Sequence, residues 1–195
     1  MSEISGGGDD GLAYAYRPRM IGSGNAFRLG AHSLEWNMGG YPGQMAYPMI
    51  STIRLSYRPS NLGSPRFIAE IWPRSGAKIE IASASYKSPV AMEDQGPAYR
   101  AFIFELHKRV AASGGECRFE AGFSAWRWWP MVAISAVAAA GLFFVAIQTI
   151  RNGDMATMAL VAGFVLLFAW QMWPLVTRNQ PVRYDPNNIP PRVLP

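Results

Sequence analysis

"TIRNGDMA", Thr149–Ala156, is the stretch on which the architecture turns. Its four polar residues, Arg151-Asn152-Gly153-Asp154, stand between "WWPMVAISAVAAAGLFFVAIQTI" (Trp128–Ile150) and "MATMALVAGFVLLFAWQMWPLV" (Met155–Val176), and neither run contains a charged residue. Each exceeds the roughly 20 residues that cross a hydrocarbon core of about 30 Å. Each is apolar around its whole circumference, whereas a helix on a soluble surface carries one apolar stripe. A chain of 195 residues has too little other mass to cover two such helices. Asn152-Gly153 is a turn dipeptide. The reading is a transmembrane hairpin of helices 126–150 and 155–176, joined by a short outward turn at 151–154.

Basic residues at the ends of these runs set the expected orientation. Arg118 and Arg127 precede the first helix, and Arg178, Arg183 and Arg192 follow the second, while the turn offers only Arg151, offset by Asp154. Basic flanks favour the cytoplasmic side, so both termini are expected there. Trp126, Trp128 and Trp129 open the first span and Trp170 and Trp173 close the second. All five are expected in one interfacial belt on the flank side. The stretch "MSEISGGGDDGLAYAYRPRM" holds no apolar run of the kind a secretory signal needs, and Cys117 is the only cysteine. Both features point to a domain kept in a reducing compartment.

The net charge of +5 divides into +3 over residues 1–127, zero over the turn and +2 over the tail. So diffuse an excess suits the neighbourhood of anionic lipid. It points away from nucleic acid as a partner.

Residues 1–24 read as a flexible leader rich in Gly, Ser and Asp. From there the pattern is of short strands. "AFRLG" and "LEWNM" flank a bend at Ala31-His32-Ser33, and "GGYPGQ" (Gly39–Gln44) reads as a loop. "MISTIRLSY" alternates, with Ile53, Leu55 and Tyr57 on one face and Arg54, Ser56 and Arg58 on the other. "RFIAEIW" follows the turn "PSNLGSP", and Pro73-Arg74-Ser75-Gly76 leads into "AKIEIAS". About five antiparallel strands are expected. The period then changes: in "GPAYRAFIFELHKRVAASGG", Tyr99, Phe102, Ile103, Leu106 and Val110 recur at helical spacing. Pro97 suits the first turn and Gly114-Gly115 the stop. "CRFEAG" (Cys117–Gly122) fits either one more strand or a connector to the membrane.

The strand "YPMISTIRL" (Tyr47–Leu55), the hairpin "FIAEIWPRSGAKIEIAS" and the helix "YRAFIFELHKRV" together resemble the PH-like domains of bacterial membrane proteins. The resemblance covers roughly residues 26–113 and implies an α+β fold, an antiparallel meander closed by one amphipathic helix, in a domain expected over residues 25–123. It also implies a bacterial inner membrane as the location. The bend around His32 lacks the Lys/Arg cluster with which phosphoinositide-binding members of the wider family hold lipid. The implied use is therefore a platform for protein contacts.

Catalytic chemistry needs convergent titratable groups. His32 lies in a bend and His107 on the helix beside Lys108, so solvated or locally bonded histidines are expected in place of a metal pair. Cys117 reads as a small residue near the membrane junction, and Glu93-Asp94 as partners of the helix dipole. "GSGNAF" places Phe27 where a dinucleotide fingerprint needs its third glycine, and no Gly-Lys-Ser/Thr phosphate loop occurs. The reading is non-enzymatic and without cofactor. Arg54, Arg58, Arg66, Arg74 and Lys78 lie on the polar face or loops of the meander. They are candidates for lipid or partner binding, or an ordinary charged face partly neutralised by Glu70 and Glu80.

Within the spans, Ala136 with Ala140, Ser135 with Ala139, and Ala159 with Gly163 recur at spacing four. Small residues so placed let helices approach closely, either within the hairpin or against another membrane subunit. Within the Pro-rich tail 177–195, the stretch "NQPVRYDPNNIPPRVLP" (179–195) is not expected to form a helix. It is either an inert terminus or a strap docked through Tyr184, Ile189, Val193 and Leu194. The function expected is that of a membrane-anchored adaptor with lipids and a protein partner or second copy as its contacts. Sensing of anionic lipid and service as a subunit of a larger membrane complex are the alternatives.

Overall fold

The computed structural model describes residues 11–19, 22–59, 66–88, 91–153 and 155–195. The chain is α+β, a β-rich region with one helix followed by two long apolar helices. It divides into two compact units, the first formed by residues 1–120 and 183–195 and the second by residues 121–182.

In the first unit, β1 (Ala13–Tyr16), β2 (Asn25–Leu29), β3 (Ser33–Met38) and β4 (Tyr41–Ala46) form one antiparallel sheet in chain order. A second sheet has the order β11-β10-β5-β6-β7, from β5 (Ile50–Arg58), β6 (Arg66–Pro73), β7 (Ile79–Ala82), β10 (Arg118–Ala121) and β11 (Val182–Arg183). β8 (Ala84–Ser88) and β9 (Ala91–Asp94) pair separately, ahead of α1 (Gly96–Ala112). The five apolar positions of α1, Tyr99, Phe102, Ile103, Leu106 and Val110, are all fully buried. They join Leu29, Leu34, Ile53, Leu55, Ile71 and Ile81 in the core. Asp94 Oδ1 accepts the Gly96 N–H at 3.0 Å, satisfying a donor that the first helical turn leaves open.

Three expectations for the β region are corrected. About five strands were expected, whereas nine precede α1 among the described residues and two more follow it. The leader was expected to run to residue 24, yet Ala13–Tyr16 is a strand with Tyr14 and Tyr16 buried. Their hydroxyls donate to the carbonyls of Ala82 (2.6 Å) and Glu80 (2.7 Å), long-range bonds that order a stretch of weak local signal. Residues 1–10 of that leader lie outside the described residues. Gly39–Gln44 is not a loop. Gly39 and Gly40, both at positive φ (64° and 91°), make the two-residue turn that matches strand twist, and Tyr41 opens β4. Pro42 is tolerated because β4 is an edge strand. Tyr47–Met49 likewise forms a short 3-10 turn before β5, and Arg118–Ala121 settles the open question over Cys117–Gly122 in favour of a strand.

The tail is a strap on this unit. The Tyr184 N–H donates to the Phe119 carbonyl (3.1 Å), Val193 is fully buried, and Ile189 and Leu194 are nearly so. Truncating a buried leucine costs about 2–5 kcal/mol, a large share of the roughly 5–15 kcal/mol that keeps a domain folded.

The second unit holds α2 (Ala125–Asn152) and α3 (Met155–Arg178). Both are long and apolar enough to cross a membrane. At 1.5 Å per residue they reach about 42 and about 36 Å. α2 runs to Asn152, two residues into the expected turn, and Gly153 (φ 69°) caps it in the left-handed conformation; Asp154 lies outside the described residues. The face of α2 turned toward α3 carries Met131, Ser135, Ala138, Leu142, Ala146 and Thr149, at helical spacing. Ser135 Oγ–H donates to the Met131 carbonyl (2.8 Å) and lies 3.7 Å from Met172 Sδ. Ala136, Ala140, Ala159 and Gly163 are exposed, and a Cβ on Gly163 would meet nothing within 4 Å. The close approach within the hairpin instead runs through Ser135, Ala138 and Ala146, together with Met131, Leu142 and Thr149, and these four exposed positions lie outside it.

Where the hairpin closes, two bonds join its ends: the Phe123 N–H donates to the Asn179 carbonyl (2.9 Å) and Trp128 Nε1–H to the Val176 carbonyl (3.1 Å). Asn179 Nδ2 in turn donates to the Leu175 carbonyl one turn back (3.1 Å). Gly122, at φ 81°, lies against the carbonyl oxygens of Asn179 and Gln180. Trp126, Trp129, Trp170 and Trp173 are exposed, and Trp128 is half-buried.

Candidate functional site

Strand register aligns the charges of the meander. Arg54 stands opposite Glu70, and Glu70 opposite Glu80, across β5, β6 and β7. The buried Glu70 carboxylate meets Lys78 Nζ at 2.6 Å and Arg58 at 3.5 Å, and Glu80 lies 3.7 and 3.8 Å from the same two cations. Arg54 pairs instead with Glu120 at 2.5 Å. Lys78 also sits 5.6 Å above the Trp72 ring. The role of Glu70 and Glu80 as partners was legible from alternation. That of Glu120 was not, since it depends on β10 pairing beside β5. Arg74 Nε donates to the Pro48 carbonyl (3.3 Å). The Arg66 Nε is buried with no hydrogen-bond partner among the described residues. Three of the five cations singled out thus face three carboxylates, and the group is a mixed network with a small positive excess.

A feature outside those expectations lies along α1. Ala101, Phe104, Glu105 and Lys108 form its outer face. With Leu12 on one side and Pro186 and Asn187 of the strap on the other, they line an open groove of about 530 Å³. Phe104 is 44% exposed. Its position is off the buried stripe 99, 102, 103, 106, 110, and an aromatic at the wrong helical phase was the available signal. Arg109 stiffens the groove wall, its guanidinium donating to Glu105 (2.8 Å) and to the carbonyls of Leu29 (3.0 Å) and Gly30 (2.7 Å). The groove thus combines apolar side chains (Leu12, Ala101, Phe104, Pro186) with the charged Glu105, Lys108 and Arg109.

The histidines separate in character. His32 is exposed, whereas His107 is fully buried. Its Nδ1–H donates to the Ile103 carbonyl (2.7 Å), leaving Nε2 to accept the Tyr184 hydroxyl proton at 2.8 Å. Burial pushes the imidazole down to about 4, so at neutral pH it is an uncharged link between α1 and the strap. Burial also pushes the Cys117 thiol up to about 11, which keeps thiolate scarce. Glu93 and Asp94 precede α1 as expected, and Asp94 is the one that bonds it. Among the described residues no cluster of three or more His, Cys, Asp or Glu could hold a metal ion.

What these elements define is an α+β unit joined to a pair of long apolar helices. Comparison with protein-family models, curated proteins and solved structures found no match to this chain.

Proposed function

We propose that this protein is a membrane-anchored, non-enzymatic interaction module, its PH-like domain held at the cytoplasmic face of a bacterial inner membrane by a two-helix anchor. The observation that carries the reading is the chain's order: segments on both sides of two long apolar helices belong to one compact unit. A hairpin that crosses twice returns the chain to the side it left, as that unit requires. The hairpin's apolar surface needs lipid around it, and the exposed tryptophans suit an interface. A run of antiparallel strands, β1–β4 in one sheet and β5–β7 within the next, followed by the β8–β9 pair and then a single amphipathic helix, supports the PH-like assignment; β10 and β11 add to the second sheet beyond that pattern.

Within this reading the partner docks on the α1 groove, with Phe104 as its anchor. The test is native mass spectrometry of the full-length chain, extracted in mild detergent. A protein companion at fixed stoichiometry is expected. Phe104→Asp should weaken it about tenfold or more, as loss of an aromatic anchor does, with thermal stability unchanged because Phe104 lies outside the core. Anionic lipid retained with no protein companion favours the lipid-sensor alternative. The pairing of Arg54, Arg58 and Lys78 with carboxylates weighs against that alternative.

The exposure of Ala136, Ala140, Ala159 and Gly163 favours one further reading, an accessory subunit whose helices dock on a larger membrane complex. An apolar groove of about 480 Å³ between α2 and α3, lined by Ala139, Leu142, Phe168 and Met172, offers a neighbouring site. Ala140→Leu and Gly163→Leu are expected to abolish a stoichiometric association while leaving helix content unchanged. Complete co-purification of both variants with the complex removes this reading.

A further inference from the structure

Residues 183–195 belong to the unit built by residues before 121, although helices of 28 and 24 residues separate the two segments in sequence. Their role in that unit is internal. Val193 fills a fully buried position, with Ile189 and Leu194 nearly as deep. Tyr184 supplies the hydrogen bond to the fully buried His107, and Arg183 belongs to β11, which extends the second sheet beyond β10. Pro195 lies so close to Gly96 that a Cβ there would press on its ring, and its carbonyl oxygen accepts from Arg100. The α1 groove takes Pro186 and Asn187 as part of its wall.

Without the strap, α1 has an uncovered end, His107 has no partner for Nε2, and the groove lacks one side. Synthesis runs from the N-terminus, so β1–β10 and α1 exist before the strap does. We propose that the strap is an assembly latch. The domain reaches its native packing, and completes the α1 groove, only when both apolar helices have inserted as a pair and returned residues 183–195 to the side on which α1 lies. The latch rests on the reading of α2 and α3 as membrane-crossing. An even number of crossings delivers the strap, and a single crossing strands it on the far side. A half-inserted chain then shows an open domain, and partly open domains are what quality-control proteases remove.

The experiment compares four forms in the membranes of an expression host: the natural chain, a deletion of residues 155–178, a replacement of those residues by 24 alternating Leu and Ala, and Val193→Asp. Limited proteolysis of the domain is followed after an alkaline wash. The natural and replaced forms are expected to resist equally. The deletion and Val193→Asp are expected to be cut at least about tenfold faster, since cleavage follows the open population. A synthetic peptide of residues 179–195, added on the domain's side, is expected to restore resistance to the deletion form. A deletion form as resistant as the natural chain overturns the latch, and so does one that the peptide leaves unprotected. Release of the natural chain by the alkaline wash overturns the membrane anchor itself, a failure distinct from either.

Discussion

Gly122→Val is expected to lower the stability of the full-length protein by about 3–5 kcal/mol, among the largest effects of any single substitution. The position has φ 81°, in the left-handed region. A β-branched residue there carries about 1–3 kcal/mol of strain. A side chain at Gly122 also runs into the carbonyl oxygens of Asn179 and Gln180, which are backbone atoms and cannot swing aside. Moving them breaks the bond from the Phe123 N–H to Asn179 that closes the hairpin, worth about 1 kcal/mol more. Gly163→Ala is the control: it meets nothing within 4 Å and lies inside a helix, where alanine is the better residue. Thermal unfolding by circular dichroism in detergent reads both. A Gly122→Val melting curve that overlays the natural one contradicts this account of the junction.

Acid is expected to loosen the strap through His107. The folded imidazole titrates near 4 because burial opposes its charge, whereas an unfolded chain's histidine titrates near 6.5. Between those values the unfolded chain binds the extra proton, so stability falls as pH falls. The contribution is complete above about pH 6.5 and lost by about pH 4, amounting to about 3 kcal/mol across the window. The Tyr184 hydroxyl, whose own titration burial drives far upward, remains a donor throughout. Protonated Nε2 becomes a donor too and can no longer accept from it. His107→Gln is expected to be less stable at pH 7 but to lose most of the slope between pH 6.5 and 4. Chemical denaturation at stepped pH measures this, and a slope equal in both proteins excludes His107 as the sensing group.

How much of this was legible follows from the range of the interactions involved. The α1 stripe and the two apolar runs are local periodicities, and all five predicted core positions of α1 are buried as read. Ile53, Leu55, Ile79 and Ile81 follow from alternation in the same way. β1 escaped because its order comes from Tyr14 and Tyr16 bonding to residues 68 and 64 positions away. β4 was hidden by Gly and Pro, which signal loops unless both glycines adopt the hairpin's positive φ. The charge network was half legible: Glu70 and Glu80 alternate with the basic residues, but Glu120 reaches Arg54 only through the pairing of β10 beside β5. The strap's anchors were named from composition, while the partner of Tyr184 required the fold. The groove on α1 was the least legible, since only Phe104 betrays it and its walls come from three distant segments.

The central claim is that α2 and α3 cross a membrane as a pair, with the domain and the strap on one side and the tip on the other. Single cysteines introduced in a Cys117→Ser background test it most directly, at Glu116→Cys before the hairpin, Asn152→Cys at its tip and Arg183→Cys after it. Each is labelled with a membrane-impermeant maleimide, first in intact cells and then in inverted vesicles. The account predicts that position 152 labels only in intact cells, and that 116 and 183 label only in inverted vesicles. Labelling of position 152 in the same preparation as 116 and 183, or of 116 and 183 in opposite ones, contradicts it.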